Sequence, residues 1–416
     1  MTSPSWILKV LTNAMMGLTM ENQMLSKVNA EEVGSLIQEL VRIPTQNPPG
    51  MEKPGAEFIV QKLRQWGIQA DLIPEPYENR PQVWGQVTGS GERPTLVLNG
   101  HIDVVPEGDA TQWDFPPFEG KIVNGRVYGR GASDMKGGLA AMMITAKILN
   151  DIKDQLLGKL VLQFAIGEET GEPGTKFLLL NRGLRGDYGI VLEPTGLRVA
   201  TAEKGLAWFR VTLQGRPVHG SVAEQGINAI EKAVKFANQI MNYNSEISGR
   251  IHQLVGNAKC SITMINAGTK ENVIPESCSV ILDRRINPDE TVGSVENEIR
   301  SILDQLASED PDFTYALQRT MVYESAQVPT DAFLAQVMRK HAARVAGIPE
   351  EPYGTLFSTD VRNFINDANG EAVTFGPGEP NQPHTFNESI EIDEVAKCIK
   401  ILLLTAHELL VEKTDG

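Results

Sequence analysis

Three nearly unbroken apolar runs limit what this chain can fold into. "TLVLNG" (95–100), "KLVLQFAIG" (159–167) and "YGIVLEPTG" (188–196) each give way at their ends to acids or a histidine. A strand with one wet face alternates apolar and polar residues, so a strand that does not alternate must be covered on both faces, as in a parallel sheet between helices. The covering helices are legible. Val33, Leu36, Ile37, Leu40 and Val41 recur at helical spacing before a stop at 44–50, and a second amphipathic segment runs from about Gly55 to Trp66. "GGLAAMMITAKILNDI", after Asp134, reads as a third helix, and strand-like runs lie at 68–73 and 83–87. Strands alternating with helices specify an α/β fold with a mostly parallel sheet flanked by helices.

After Gly205 the pattern changes. "LAWFRVTLQGR" alternates like a half-exposed strand, and the order that follows is helix (about 228–241), strands (near 260–265 and 278–285), helix (about 292–307) and strand (314–318). This β-α-β-β-α-β order predicts a ferredoxin-like α+β domain, a sheet with two helices on one face. From about Val328 the α/β pattern returns. The expected organisation is therefore one α/β domain over 28–203 and 323–416, interrupted by an inserted domain over 204–322, with 1–27 as an N-terminal extension. The segment "SWILKVLTNAMMGLTMENQM" is broken by Lys9, Thr12 and Asn13 and is too interrupted to span a bilayer.

Charge excludes one class of partner. Lys and Arg number 38 against 53 Asp and Glu, a net charge of −15, where nucleic acid would require a basic surface. No segment reaches transmembrane length, so no membrane partner is expected. Cys260, Cys278 and Cys398 are widely spaced and odd in number, which predicts buried thiols in a reducing, cytoplasmic compartment.

The chemistry gathers where the strands end. His101 and Asp103 follow the first run, Asp134 lies in "GRGASDMKGG", Glu168 and Glu169 in "AIGEETGEPG", Glu193 in "VLEPTG" and His384 in "FGPGEPNQPHTFNE". Taken singly each has a plainer reading; Asp134 before a helix and beside Lys136, for example, also suits an N-cap. Open α/β sheets bind ligands outside the carboxyl ends of their strands, and four such ends would bring two histidines and several carboxylates together. Buried carboxylates repel one another unless cations neutralise them. A mixed imidazole and carboxylate set suits Zn²⁺, with Co²⁺ or Mn²⁺ as alternatives, rather than thiolate-seeking metals.

In these segments the chain resembles the dinuclear zinc amidohydrolases and exopeptidases that include acetylornithine deacetylase, succinyl-diaminopimelate desuccinylase, aminoacylase and glutamate carboxypeptidase. The resemblance rests on "GHIDVVP", "WDFPPFEGKIVNGRVYGRGASDMKGG", "GEETG", "LEPTG", "VHGSVAEQGINAI", "ENVIPESCSVILDRR", "STDVRNF" and "GPGEPNQPHTFNE", in order from about residue 33 to 412. It implies two divalent metal ions. His101 and Glu193 would hold one, Glu169 and His384 the other, and Asp134 would bridge them. Asp103 would hydrogen-bond the His101 imidazole and fix its tautomer, because residues i and i+2 of a strand share a face. Glu168 would act as general base on a metal-bridging water and pass the proton to the leaving amine.

The resemblance also makes the inserted domain a lid and dimerisation domain. His219 would reach the substrate carbonyl or oxyanion, often across a homodimer. Asn272 and Arg285 would hold a substrate carboxylate; Arg284 is adjacent, but period-two alternation puts only one of the pair on the binding face. Thr359, Asp360 and Arg362 would bind a carboxylate or order the loop, with an Asp360–Arg362 salt bridge as the structural alternative. The implied reaction is hydrolysis of the amide of a small N-acyl amino acid by a deacetylase or desuccinylase. The alternatives are an exopeptidase or dipeptidase, or a hydrolase of an aromatic or heterocyclic amide. An inactive ligand-binding relative would have lost the base or a ligand, and all six residues are present. "GTLFSTD" departs from the glycine-rich segment usual before "TDVR", and His252, His341 and His407 match no motif.

Overall fold

Both faces of the strand that begins at Thr95 are apolar, and the computed structural model, which describes residues 20–91 and 94–411, shows what covers each. After a short helical stretch at 20–26 come α1 (Ala30–Val41), whose N-terminal amides at Glu31 and Glu32 are capped by the Asn29 side chain, and α2 (Lys53–Gln65). There follow β1 (Gln69–Ile73), β2 (Gln82–Thr88), β3 (Thr95–His101), α3 (Gly137–Asn150), β4 (Lys159–Ala165), α4 (Gly174–Leu180), β5 (Tyr188–Val191) and β6 (Ala200–Glu203). Next come β7 (Gly205–Gln214), α5 (Ala229–Ile247), β8 (Lys259–Ala267), β9 (Ser277–Ile286), α6 (Val292–Glu309) and β10 (Thr314–Tyr323). The chain then forms α7 (Phe333–Ala346), β11 (Glu371–Thr374) and α8 (Ile392–Leu410).

The fold divides into two units. The first holds the described residues of 20–201, 328–352 and 359–411; the second holds 202–327 and 353–358. In the first unit the strand order is β1-β2-β4-β3-β5-β11, with Ala200 of β6 paired to Thr374. The central four strands, β4, β3, β5 and β11, are mutually parallel, while β1 and β2 add antiparallel pairs at one edge. Leu96 and Leu98 face a core built with Leu36 and Ile37 of α1, Leu139 and Met143 of α3, and Leu402 and Leu403 of α8. Val97, pointing the other way, packs with Val161, Leu179, Val191 and Phe364. Each fully buried aliphatic side chain contributes about 1.5–3 kcal/mol, so apolar residues on both faces specify a sheet covered on both sides.

The second unit has the ferredoxin-like arrangement. Its sheet runs β8-β9-β7-β10, every neighbouring pair antiparallel. Inward residues Phe209, Val211, Val280 and Leu282 pack with Phe236 and Ile240 of α5 and Ile299 and Leu303 of α6.

The expected N-terminal extension falls partly on residues 1–19, outside the described residues. Residues 20–26 are helical, Met24 is fully buried in the first unit's core, and Glu21 pairs with Arg344 at 2.7 Å. All three cysteines are free and buried. Among the described residues no helix is long and apolar enough to cross a membrane.

Candidate metal centre

The parallel strands end together, and their ends carry the candidate ligands. His101 is the last residue of β3, Glu193 follows β5 by two residues, and Glu168 and Glu169 sit on a single helical turn just after β4. Helix α3 approaches the end of β5 so closely that a Cβ on Gly138 would lie 2.3 Å from the Leu192 carbonyl oxygen. Only a glycine admits that contact.

Asp134 lies between the two histidines. Its Oδ1 is 3.1 Å from His101 Nε2, and its Oδ2 is 3.5 Å from His384 Nε2. Glu193 Oε1 approaches the same His101 nitrogen at 3.4 Å, and Glu169 Oε2 approaches His384 Nε2 at 3.0 Å. The structure thus gathers His101, Asp134, Glu169, Glu193 and His384 into two donor groups that share one aspartate. Asp134 is not the N-cap of α3, whose first residues have no side-chain cap. His384 adopts a left-handed backbone (φ +63°), a conformation that costs energy in a non-glycine residue and concentrates at functional sites.

These residues fit a pair of divalent cations. Two donors about 2.1 Å from a shared tetrahedral ion lie about 3.4 Å apart, close to the separations seen. One ligand atom each from His101, Asp134 and Glu169 lies within 4.8 Å of the others. Glu169 Oε1 is buried without a hydrogen-bond partner, an acceptor that a cation would satisfy.

The electrostatics point the same way. Burial pulls the His101 pKa down, but Glu193 and Asp134 together outweigh it and hold the ring well above its ordinary value. Hydrogen bonds to Asp134 and Glu169 raise His384 to about 11. Burial raises Glu193 to about 7, with His101 opposing and Asp134 assisting. For Asp134 burial acts upward, but His101 and His384 prevail and its pKa is lowered. The imidazolium charges compensate the carboxylates; a divalent cation would supply that compensation and leave the rings neutral, as ligation requires. Burial pushes Glu168 well above the carboxylate range, against His101 and with help from Glu193, Asp360 and Glu169. A carboxyl raised toward neutrality is suited to exchange a proton.

Asp103 requires a correction. His101 Nδ1 is 2.9 Å from the main-chain carbonyl of Asp103, while the Asp103 carboxylate is 3.8 Å away. That carboxylate instead accepts bonds from Gly167 N (2.9 Å), Glu169 N (3.1 Å) and Asn47 Nδ2 (3.2 Å). Strand β3 ends at His101, so the rule that i and i+2 share a face does not extend to residue 103. The side chain turns to the unpaired amides of the Glu168–Glu169 turn. Asn47, which sequence reasoning missed, also bonds Thr170 and Glu172, and Arg80 joins Glu172 to the fully buried Glu52. No local pattern marks these braces, since each links segments far apart in sequence.

Thr359 lies at the end of the sheet beside β11. It is fully buried, with its hydroxyl 3.1 Å from that of Thr374 and accepting from Val361 N. Arg362 pairs with Asp360 at 3.4 Å and donates to the Thr359 carbonyl. Within the second unit, His219 and Asn272 are neighbours: Asn272 Nδ2 is 3.5 Å from His219 Nε2, and Ser221 binds the other ring nitrogen. Alternation separates the arginines. Arg284 is buried against Glu290 and Tyr243, and Arg285 stands partly exposed beside Asp283.

A family model described as Peptidase family M20/M25/M40 matches residues 97–408. The chain belongs to that family. Among M20 relatives, an N-formyl-4-amino-5-aminomethyl-2-methylpyrimidine deformylase of Halalkalibacterium halodurans is 28% identical, covering 91% of this chain and 95% of the relative. A probable succinyl-diaminopimelate desuccinylase of Staphylococcus aureus is also 28% identical, covering 91% and 97%. An M20 metallo-carboxypeptidase of Sulfolobus solfataricus shares the fold, with a TM-score of 0.75 at 21% identity over 90% of this chain and 98% of that one. This M20 protein is a metal-dependent hydrolase of amide C–N bonds.

Proposed function

We propose that the protein hydrolyses the amide of a small N-acylated amino acid, releasing a carboxylate and a free amine. The observation that carries the reading is the shared placement of Asp134 between His101 with Glu193 and His384 with Glu169, beside the buried Glu168. His101 and Glu193 would hold one cation, His384 and Glu169 the other, with Asp134 common to both; the nitrogen and oxygen donors suit Zn²⁺, then Co²⁺ or Mn²⁺. Bound there, two divalent ions would lower the pKa of water and polarise the scissile carbonyl. A Glu168 carboxylate oxygen takes the proton of the attacking water and delivers it to the departing nitrogen. His219 donates to the carbonyl oxygen as charge develops. Asn272 and Arg285 bind the substrate carboxylate, for which a planar guanidinium provides two parallel donors.

A second reading has a specific observation behind it. The relative named as a deformylase of an aminopyrimidine favours a heterocyclic N-formyl amine in place of an amino acid. A homodimer is supported by the edge strand β8, where Met264 and Ile265 are about half exposed, and by Val234 and Met241 on α5. Free cysteines suit the cytoplasm.

The test is amine release from N-acetyl, N-succinyl and N-formyl amino acids, dipeptides and N-formyl aminopyrimidines, with protein stripped by chelator and then restored with zinc or cobalt. Turnover of one class that requires the metal is expected. Glu168→Gln should lower kcat by about 10²–10⁴ with metal content preserved. Full activity of the metal-free protein, or of Glu168→Gln, would overturn the mechanism.

A further inference from the structure

We infer that Glu388 is a positioning residue that assembles the Asp134 arm of the metal centre before any metal arrives. This carboxylate is almost completely buried, yet both of its oxygens are engaged. Oε1 accepts from Ser133 N at 2.9 Å and from Asp134 N at 3.0 Å; Oε2 accepts from Gly131 N at 3.0 Å and from Arg130 Nη1 at 2.7 Å. Three amides of one loop converging on a point form an anion-binding concavity. Here the protein fills it with its own side chain.

The loop has reason to need such an anchor. Asp134 (φ −120°, ψ 94°) and Met135 break the helical path just before α3 begins at Gly137, and Gly131 must take a left-handed turn (φ +82°). Those amides would otherwise lack partners in a buried segment. With Glu388 in place, the main chain of Asp134 is fixed while its two oxygens divide between His101 and His384.

Glu388 is also only four residues beyond His384. The short segment between them contains a second left-handed residue, Asn387 (φ +56°), whose side chain accepts from Asp114 N at 2.7 Å. Arg130, held by Glu388, also donates to the Thr385 carbonyl at 3.2 Å. One tight turn therefore delivers His384 and anchors the loop bearing Asp134, so the two arms keep a fixed relation to each other. Metal sites tolerate only about 0.5 Å of misplacement, and residues behind the ligands typically change affinity by about 10–100-fold.

The inference rests on the reading of Asp134 as a shared metal ligand, and the experiment separates the two. Co²⁺ binding is followed by visible absorption, and Zn²⁺ binding by competition with a chelating dye, in the unaltered protein, Glu388→Gln and Arg130→Met. Glu388→Gln keeps the volume but turns an NH₂ toward backbone N–H groups. It should weaken at least one of the two metal equivalents by about 10–100-fold. Arg130→Met leaves the three amide bonds in place and removes only the Arg130 ties to Glu388 and the Thr385 carbonyl; it should lower the melting temperature and weaken metal binding less than Glu388→Gln does. An unaltered protein that binds no divalent metal would overturn the reading of the cluster itself. Two metals bound with equal affinity by the unaltered protein and Glu388→Gln would overturn the role of Glu388 alone. Should Glu388→Gln not fold, amide exchange in the unaltered, metal-free protein decides. Slow exchange at Gly131, Ser133 and Asp134 before metal is added supports the inference, and protection that appears only with metal overturns it.

Discussion

Replacing Asp103 with asparagine separates two roles that a carboxylate beside a metal-binding histidine could have. The Asp103 side chain accepts one backbone amide on Oδ1, from Gly167, and on Oδ2 a second from Glu169 together with the Asn47 amide. Asparagine keeps the shape but makes one of the two atoms a donor. In either orientation at least one buried N–H then faces an NH₂ group. A hydrogen bond to a charged group contributes about 1.5–3 kcal/mol, and one to two such bonds are lost, so Asp103→Asn should destabilise the metal-free protein by about 1.5–6 kcal/mol. The loosened turn carries Glu168 and Glu169, so kcat and the affinity of the metal shared with His384 should both fall. The His101 ring, held through a main-chain carbonyl at 2.9 Å, should keep its orientation. Urea denaturation of metal-free protein, cobalt titration and imidazole ¹⁵N NMR read these three effects. Unchanged stability together with a switched His101 tautomer would refute the reasoning and restore the carboxylate as the partner of the ring.

Arg284→Ala should cost about 3 kcal/mol, the lower end for breaking a buried ion pair because Arg250 still compensates Glu290; Arg285→Ala should cost under about 1 kcal/mol and instead raise KM for carboxylate substrates. Denaturation and kinetics on the pair check this, and a reversal of the two effects would contradict the assignment of faces. Gly138→Ala would gain about 1 kcal/mol in helix propensity. It should nonetheless be less stable, because the new methyl meets the Leu192 carbonyl at 2.3 Å and overpacking costs about 1–3 kcal/mol; a rise in melting temperature would count against the close approach. In the second unit, Lys232 and Lys235 hold Asp310 down at about 2. Its folded pKa lies below the ordinary 3.8, so this pairing stabilises the fold above pH 3.8, and that contribution is lost as pH falls through about 2. Carboxyl ¹³C NMR should show a depressed midpoint, and one near 3.8 would refute the pairing.

Local pattern was enough for the architecture. Runs such as "KLVLQFAIG" are buried on both faces because a strand without alternation has no solvent side, and the change to alternation after Gly205 marked the ferredoxin-like insert. The residues at the strand ends were also visible in the sequence, because hydrophobic runs stop abruptly at His101, Glu168, Glu169 and Glu193. Alternation likewise sent Arg284 inward and left Arg285 accessible. What the sequence could not supply was which atoms meet. The β3 strand stops at His101, so Asp103 offers the ring its carbonyl and gives its carboxylate to a turn more than sixty residues away. Thr359 faces inward because of where Thr374 of β11 lies beside it. Glu388 reaches Gly131, Ser133 and Asp134 across more than 250 residues, and nothing in "NQPHTFNE" distinguishes it from a surface acid. Periodicity records how each residue is divided between water and core. The pairing of one polar group with another is settled only when distant segments close on each other, and in this protein that closure places the two oxygens of Asp134 between two histidines.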